Sequence, residues 1–190
     1  MDRRLFLRSV ALSSAGISAA GLLQSCETTT QSTEDDVEAA AQIATDGAEF
    51  EAMGIKTYEV AAASGLLTDQ AVIDTALAFM ADHQGHLAEL NVVLSNLGKP
   101  TIDTSGAAPA PGTASVTNQT DILELALSVE FDAATFYFSG IVNTVRNTDL
   151  RKVFANILPI EVAHMITYKN VLGRTPAIDG AIFENLTDGS

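Results

Sequence analysis

The 190-residue chain has one cysteine, no tryptophan, three histidines, and 10 basic residues against 24 acidic ones. A single cysteine excludes an internal disulfide. The formal net charge of −14 disfavours nucleic acid and anionic lipid head groups as partners, because both are negatively charged. Without thiolate clusters, a transition-metal site in this chain has to be built from carboxylates and its few imidazoles.

The N-terminal segment has the pattern of an export signal. Arg3 and Arg4 precede Phe6 and Leu7, and an uncharged stretch rich in Ala, Ser, Leu and Gly runs from residue 9 to residue 25. The stretch is short and weakly apolar for a spanning helix, so residues 1–25 are predicted to be a signal peptide. The R-R-x-F-L arrangement resembles a twin-arginine (Tat) signal. An ordinary Sec signal is the alternative.

Cys26 follows Leu23, Gln24 and Ser25, which together resemble a bacterial lipobox, although Gln24 is unusual in that motif. Cleavage there would leave a lipidated cysteine and a flexible tether over residues 26–33. The protein is then expected to be an exported lipoprotein, anchored to the membrane on the periplasmic side. A chance cysteine beside a signal peptidase I site is the alternative. The sequence gives no indication of the oligomeric state.

Apolar residues that recur at intervals of three and four predict four long helices and no strands. We predict an all-α, antiparallel four-helix bundle over residues 34–173, followed by a C-terminal tail over residues 174–190. Thr33, Thr68 and Thr120 are the expected N-caps of the first three helices. The four helices are expected at Thr33–Ser64, Asp69–Leu97, Asp121–Val145 and from about Asp149 to Leu172.

The connections between these helices indicate the topology. Helices one and two, and helices three and four, are joined by a few residues, which favours antiparallel neighbours. Helices two and three are separated by about 20 residues rich in Pro, Gly, Ala, Ser and Thr. Twenty extended residues reach about 66 Å, whereas the second helix spans roughly 43 Å. The third helix can therefore begin at the same end of the bundle as the second.

One spacing of polar residues occurs twice in the chain. Glu51 is followed seven residues later by Tyr58, and Glu130 is followed in the same way by Tyr137. Each of these glutamates falls on the first helix of an antiparallel pair. The two tyrosines are expected to donate hydrogen bonds to carboxylates of the site.

The second helix of each pair carries two polar residues spaced i and i+3. His83 and His86 form H-x-x-H, and Glu161 and His164 form E-x-x-H. Residues at this spacing share a helix face, and carboxylates with imidazoles suit iron or manganese, with zinc possible. The predicted metal ligands are Glu51, His83, His86, Glu130, Glu161 and His164.

On these residues the chain resembles the ferritin-like superfamily over roughly residues 35–172. Within it, the chain is most similar to the extracytoplasmic ferritin-like domain proteins of the desiccation-associated type. The resemblance implies two metal ions, usually iron, that react with oxygen or peroxide. Where the family pattern has a bridging glutamate, this chain has His83. The neighbouring Asp82 points about 100° away from that helix face and is not expected to replace the missing carboxylate.

The substitution predicts that one metal position is weaker, which leaves a mononuclear site, a mixed pair or another metal open. The expected function is therefore an exported protein with one or two transition-metal ions, and with oxidoreductase activity on oxygen or peroxide if it is active. No catalytic residue is predicted beyond the metal ligands. The alternative is a non-enzymatic envelope protein for stress or desiccation, with a degenerate or structural metal site.

Overall fold

The computed structural model describes the backbone of residues 19–174 and the side chains of residues 34–174 other than Thr144. Within this range the chain forms four α-helices and no strand, so the predicted all-α class is confirmed. A 3₁₀ turn, Thr113–Ser115, lies in the crossover between the second and third helices. The helices are α1, Ala19–Ala63; α2, Gln70–Asn96; α3, Gln119–Ser139; and α4, Thr148–Val171.

Contacts at the helix ends show two antiparallel pairs. Lys99, just after α2, pairs with Glu38 in the part of α1 that lies far from the α1–α2 connection. Arg174, just after α4, pairs with Glu124 near the start of α3. Each short connection therefore reverses the chain direction, as the link lengths predict.

The crossover places the starts of α2 and α3 at the same end of the bundle. Gln119 Oε1 accepts hydrogen bonds from the backbone N–H groups of Thr68 and Asp69, at 2.9 and 3.0 Å. Near the beginning of the crossover, the side chain of Asn91 exchanges two hydrogen bonds of 2.8 Å with the backbone of Ile102. The segment after α2 is thus held along the bundle and returns the chain to the end from which α2 started.

The N-caps of α2 and α3 differ slightly from the prediction. Asp69, not Thr68, caps α2 and accepts a hydrogen bond from the N–H of Ala71. Asn118, not Thr120, caps α3 by accepting from the N–H of Asp121. Asp and Asn are at least as good as Thr at this position, so a neighbouring carboxylate or amide takes the role.

The start of α1 is a larger correction. The described helix begins at Ala19 rather than at Thr33, and residues 26–33, expected to be a flexible tether, are helical. No glycine or proline occurs between Leu22 and Asp46, so the sequence contains no strong helix breaker there. Residues up to Asp35 form one unit and those from Asp36 another. The paired arginines and residues 175–190 lie outside the described residues.

The end of α3 departs from a regular α-helix. The predicted helix to Val145 becomes a π-helix over Gly140–Thr144. Gly140 lies so close to the ring of Phe154 that a Cβ atom would overlap it. A glycine is therefore required where this wider turn meets α4.

The bundle interior contains two apolar clusters with a polar layer between them. The first cluster includes Ala48, Ala52, Leu90, Leu94, Tyr137, Leu150, Phe154 and Ile157. The second includes Tyr58, Ala61, Val72, Ala76, Leu123, Ala126, Met165 and Tyr168. On α2, α3 and α4 the candidate ligands fall between residues of one cluster and residues of the other, and on α1 Glu51 lies among the last residues of the first cluster.

Among the described residues, the stretch Gln119–Asn143 is long and apolar enough to cross a membrane, with a mean hydropathy of 1.3. It also carries the fully buried Glu130 and packs into the bundle. Its apolar character is what the core helix of a bundle requires.

Candidate metal centre

The six predicted ligands gather in the polar layer between the two apolar clusters. α1 supplies Glu51, α2 supplies both H-x-x-H histidines, α3 supplies Glu130, and α4 supplies the E-x-x-H pair. All six are buried, with exposed fractions of 4% or less. The i, i+3 spacing on α2 and α4 turns both members of each pair to the same interior face.

Among the described residues, the six side chains form two sets of four donors. In each set one ligand atom per residue lies within 4.8 Å of all the others. The first set is Glu51, His83, His86 and Glu161; the second set is His83, Glu130, Glu161 and His164. Each set has two carboxylates and two imidazoles, and His83 and Glu161 belong to both.

His83 uses its two ring nitrogens on opposite sides. Its Nδ1 lies 2.7 Å from Glu51 Oε2, in the first set, and its Nε2 lies 3.3 Å from Glu130 Oε1, in the second. The backbone of Gly54 passes close by, because a Cβ atom there would lie 3.5 Å from the imidazole. The side chain is therefore fixed between the two halves of the site.

Glu161 is the other shared residue, and its two carboxylate oxygens likewise face different sets. Its Oε1 lies 2.8 Å from His86 Nδ1 in the first set, and its Oε2 lies 3.7 Å from His164 Nδ1 in the second. Both oxygens of Glu161 and both nitrogens of His86 are buried and make no acceptable hydrogen bond. Buried polar atoms are rarely left this way, because an unmet partner costs free energy.

These buried atoms without hydrogen bonds bear on whether a metal ion fits the site. A cation located between them would satisfy the carboxylate oxygens and one imidazole nitrogen at once. Two oxygens and two nitrogens in each set suit iron, manganese or zinc, since no soft sulfur donor is present. The residues therefore fit a transition-metal ion.

The two tyrosines of the repeat make reciprocal hydrogen bonds. Tyr58 on α1 donates to Glu130 on α3, and Tyr137 on α3 donates to Glu51 on α1. Tyr168 on α4 then donates to the Tyr58 hydroxyl at 2.9 Å. Tyr137 thus holds Oε1 of Glu51 and leaves Oε2 to His83 and His86. Tyr58 shares Oε1 of Glu130 with His83, and Oε2 of Glu130 faces His164.

The position of His164 is fixed from outside the layer. Its Nε2 lies 3.1 Å from Asp82 Oδ2, while its Nδ1 faces Glu130 Oε2 at 3.2 Å. The ring of Phe79 stacks on the imidazole with centroids 3.7 Å apart. A carboxylate on the far nitrogen fixes the tautomer and leaves Nδ1 for the interior.

The carboxylates raise the pKa values of all three histidines. Burial lowers the pKa of His86, but Glu161 and Glu51 outweigh it and raise that pKa to about 9. Burial likewise opposes Glu130 and Glu161 at His164, whose pKa also rises to about 9. At His83, burial is outweighed by Glu130 and Glu51, and the pKa lies well above its usual value.

The pKa values of two of the three ligand carboxylates are lowered, and that of the third is raised. Burial raises the pKa of Glu51, but the neighbouring His83 and His86 lower it overall. Burial is likewise outweighed at Glu130, whose pKa is strongly lowered by His164 and His83. Only at Glu161 does burial prevail and raise the pKa. Without a metal, protonated histidines therefore balance the buried negative charge.

Comparison with known proteins identifies the family. The sequence profile of the ferritin-like domain family matches residues 38–174. The chain belongs to the ferritin-like domain family. The match covers the bundle and includes every residue of the two donor sets.

One solved structure has the same fold. It is the crystal structure of a conserved hypothetical protein, rv2844, from Mycobacterium tuberculosis, with a TM-score of 0.61 and 19% sequence identity. The similarity covers 70% of this chain and 97% of that one. At this identity the likeness concerns the fold alone. No curated protein matches the chain.

The structure brings together all six predicted ligands and both repeat tyrosines. Two further residues of the network are not predicted by the spacing. Asp82, which is not expected to be a ligand, contacts the outer nitrogen of His164 through its carboxylate. Tyr168 lies four residues after His164, on the same face of α4, and that spacing was an available signal. All three tyrosines of the chain therefore belong to this network.

The raised pKa values predict how the stability of the metal-free protein depends on pH. A histidine whose pKa is higher in the folded state stabilises fully below the unfolded value of about 6.5, and this contribution is lost as pH rises through the folded value. For His86 and His164 that value is about 9. We expect the free energy of unfolding to fall between about pH 6.5 and pH 9, by on the order of 3 kcal/mol per histidine at most.

Urea denaturation of chelator-treated protein across this range would measure the effect. The Cys26→Ser variant should serve as background, because a free thiol titrates in the same window. His86→Gln should make the pH dependence shallower. A free energy of unfolding that stays constant or increases from pH 6.5 to pH 9 would contradict the assignment.

Proposed function

We propose that the protein binds two transition-metal ions inside the bundle, with iron the favoured metal and manganese or zinc possible. The observation that supports this most directly is the pair of four-donor sets whose shared Glu161 has two buried oxygens without hydrogen-bond partners. Glu51 and His86 would hold one ion, and Glu130 and His164 the other. His83 and Glu161 would contribute one atom to each.

This arrangement alters the expected consequence of His83. The sequence pattern suggested that losing a bridging carboxylate weakens one position. The ring nitrogens of His83 instead reach both Glu51 and Glu130, so the side chain would serve both positions as an imidazolate, having released its ring proton to solvent. The two sets have the same number and type of donors, which supports two ions rather than one.

The proposed activity is oxidoreduction of oxygen or peroxide. A bound iron or manganese pair would supply redox chemistry that no side chain of this chain provides. The protein's own part is to keep the donors oriented and to exclude bulk water. Tyr58 and Tyr137 fix Glu130 and Glu51 by hydrogen bonds, Asp82 orients His164, and the apolar clusters close the layer from both sides.

Metal content of single variants tests the two-set arrangement. Elemental analysis of the metal-loaded wild-type protein should find two ions per chain. His86→Ala and His164→Ala should each lose one ion, because each residue belongs to one set. Glu161→Gln should fall below one ion, because Glu161 belongs to both. Glu49→Gln, an exposed change two residues from Glu51 on the same helix, is the matched control.

Two results would count against metal binding. One is substoichiometric metal in the wild-type protein together with unchanged stability of the His83→Ala, Glu161→Ala double variant. The other is an equal loss of metal in Glu49→Gln and Glu161→Gln.

A second candidate is a non-enzymatic envelope protein of the stress or desiccation type, in which the centre is structural or degenerate. The balance of protonated histidines and carboxylates supports it, because the bundle can neutralise its buried charges without metal. Consumption of oxygen by protein loaded with Fe(II), which supplies the electrons, or decomposition of hydrogen peroxide into water and oxygen, separates the two candidates. We expect measurable consumption that Glu161→Gln abolishes. Stoichiometric metal without any consumption would favour the structural role.

Export and lipid anchoring form a separate proposal, supported by the arginine pair, the uncharged stretch and the lipobox-like residues before Cys26. We expect the wild-type protein in the membrane fraction of a Gram-negative host, and Cys26→Ser in the soluble periplasmic fraction. Equal distribution of the two proteins would exclude lipidation. Retention of both in the cytoplasm would exclude export.

A further inference from the structure

A cavity of about 160 Å³ lies at the end of the bundle where α1 ends and where α2 and α3 begin. All four helices and the crossover contribute to its wall. The space exists because alanines occupy wall positions on three helices, at Ala61, Ala76 and Ala126. The bulkier wall residues include Leu66, Leu67, Val72, Ile122 and Leu123.

The small polar side chains in the wall already have hydrogen-bond partners. The hydroxyl of Thr57 donates to the carbonyl of Met53 and accepts from the N–H of Ala110, both at 2.8 Å. The hydroxyl of Thr113 donates to the carbonyl of Ala110 at 2.6 Å. These groups therefore need no partner from inside the cavity.

The remaining polar wall residues are engaged in the same way. Ser64 donates to the carbonyl of Ala61 at 2.7 Å and accepts from the N–H of Leu66. The Tyr168 hydroxyl donates to Tyr58, which in turn donates to Glu130 of the metal centre. Burial raises the pKa of both phenols, so they remain neutral. Among the described residues, no aspartate, glutamate, lysine, arginine or histidine lines the cavity.

Because the cavity offers neither a counter-ion nor a free hydrogen-bonding group, it disfavours charged and polar molecules. A charged molecule would lose its hydration without finding a counter-ion. A water molecule needs two to four polar partners, and an apolar cavity without them stays dry. An engineered apolar cavity of about 150 Å³ in another protein binds benzene or xenon, so the volume here suits a molecule of that size.

We propose that this cavity is a binding site for a small neutral apolar molecule, no larger than benzene. Its inner wall is Tyr58, whose ring lies 5.3 Å from the ring of His83 between centroids. A molecule in the cavity would thus be one side chain away from the donor sets. Binding in the cavity requires no metal, so this proposal can be tested independently of the proposed metal centre.

Benzene and xenon are suitable probes for the full-length, chelator-treated protein. Benzene at ten times its dissociation constant should raise the Tm by about 3–6 °C. Xenon should shift the methyl resonances of Ala61, Ala76 and Ala126 in NMR spectra. Phenol should bind roughly tenfold more weakly than benzene, because its hydroxyl would find no free partner.

Variants on α2 provide a matched control. Ala76→Phe fills the cavity and should abolish the benzene-dependent rise in Tm, whereas Ala78→Phe, exposed on the same helix, should retain it. Ala76→Leu is the smaller change to use if phenylalanine prevents folding, and it should reduce the rise. No rise in the wild-type protein, an equal rise in Ala76→Phe and Ala78→Phe, or phenol binding as tight as benzene would overturn the proposal.

Discussion

The bundle has to hold three carboxylates and three imidazoles away from water in a single interior layer. Burying ionisable groups is costly unless they are paired or coordinate a cation. Every residue around the layer reduces that cost: tyrosines donate to two of the carboxylates, histidines carry the balancing charge, and Asp82 supports His164 from the edge. Glu161 is the exception, since both of its oxygens are buried without a hydrogen bond, although they face His86 and His164.

The duplicated pattern explains how so few residues build two similar sets. Each helix pair contributes a glutamate from its first helix and two donors from its second, and each tyrosine crosses to the glutamate of the other pair. The symmetry is broken at one position, where α2 has His83 and α4 has Glu161. Both residues nevertheless reach both sets, one through two ring nitrogens and the other through two oxygens. His83 and Glu161 thus differ in charge but occupy equivalent positions in the two halves of the bundle.

Much of the fold and of the centre could be predicted from the sequence, because both depend on local spacing. Helical periodicity, short links and one long crossover determine the bundle, and i, i+3 pairs determine which side chains face the interior. The contact between Asp82 and His164 could not be predicted in this way, because it joins α2 to α4 and depends on how the helices pack. The N-caps of α2 and α3 differ from the predicted ones by one or two residues, since cap choice among neighbouring polar residues is nearly isoenergetic.

The apolar cavity also could not be predicted from sequence patterns. Its alanines come from three different helices, and alanine is an ordinary helix residue at each position. Only packing shows that these small side chains face one another and leave a volume unfilled. The same packing places Tyr58 between the cavity and the donor sets, so that one residue contacts both.

The central claim is that two cations belong in this layer, and anomalous X-ray diffraction tests it most directly. Data should be collected at the iron, manganese and zinc absorption edges from crystals of protein purified without chelators. The account predicts two interior peaks, one between Glu51 and His86 and one between Glu130 and His164, each about 2.0–2.3 Å from its donor atoms. A layer without anomalous density, or metal bound only at surface carboxylates, would contradict it.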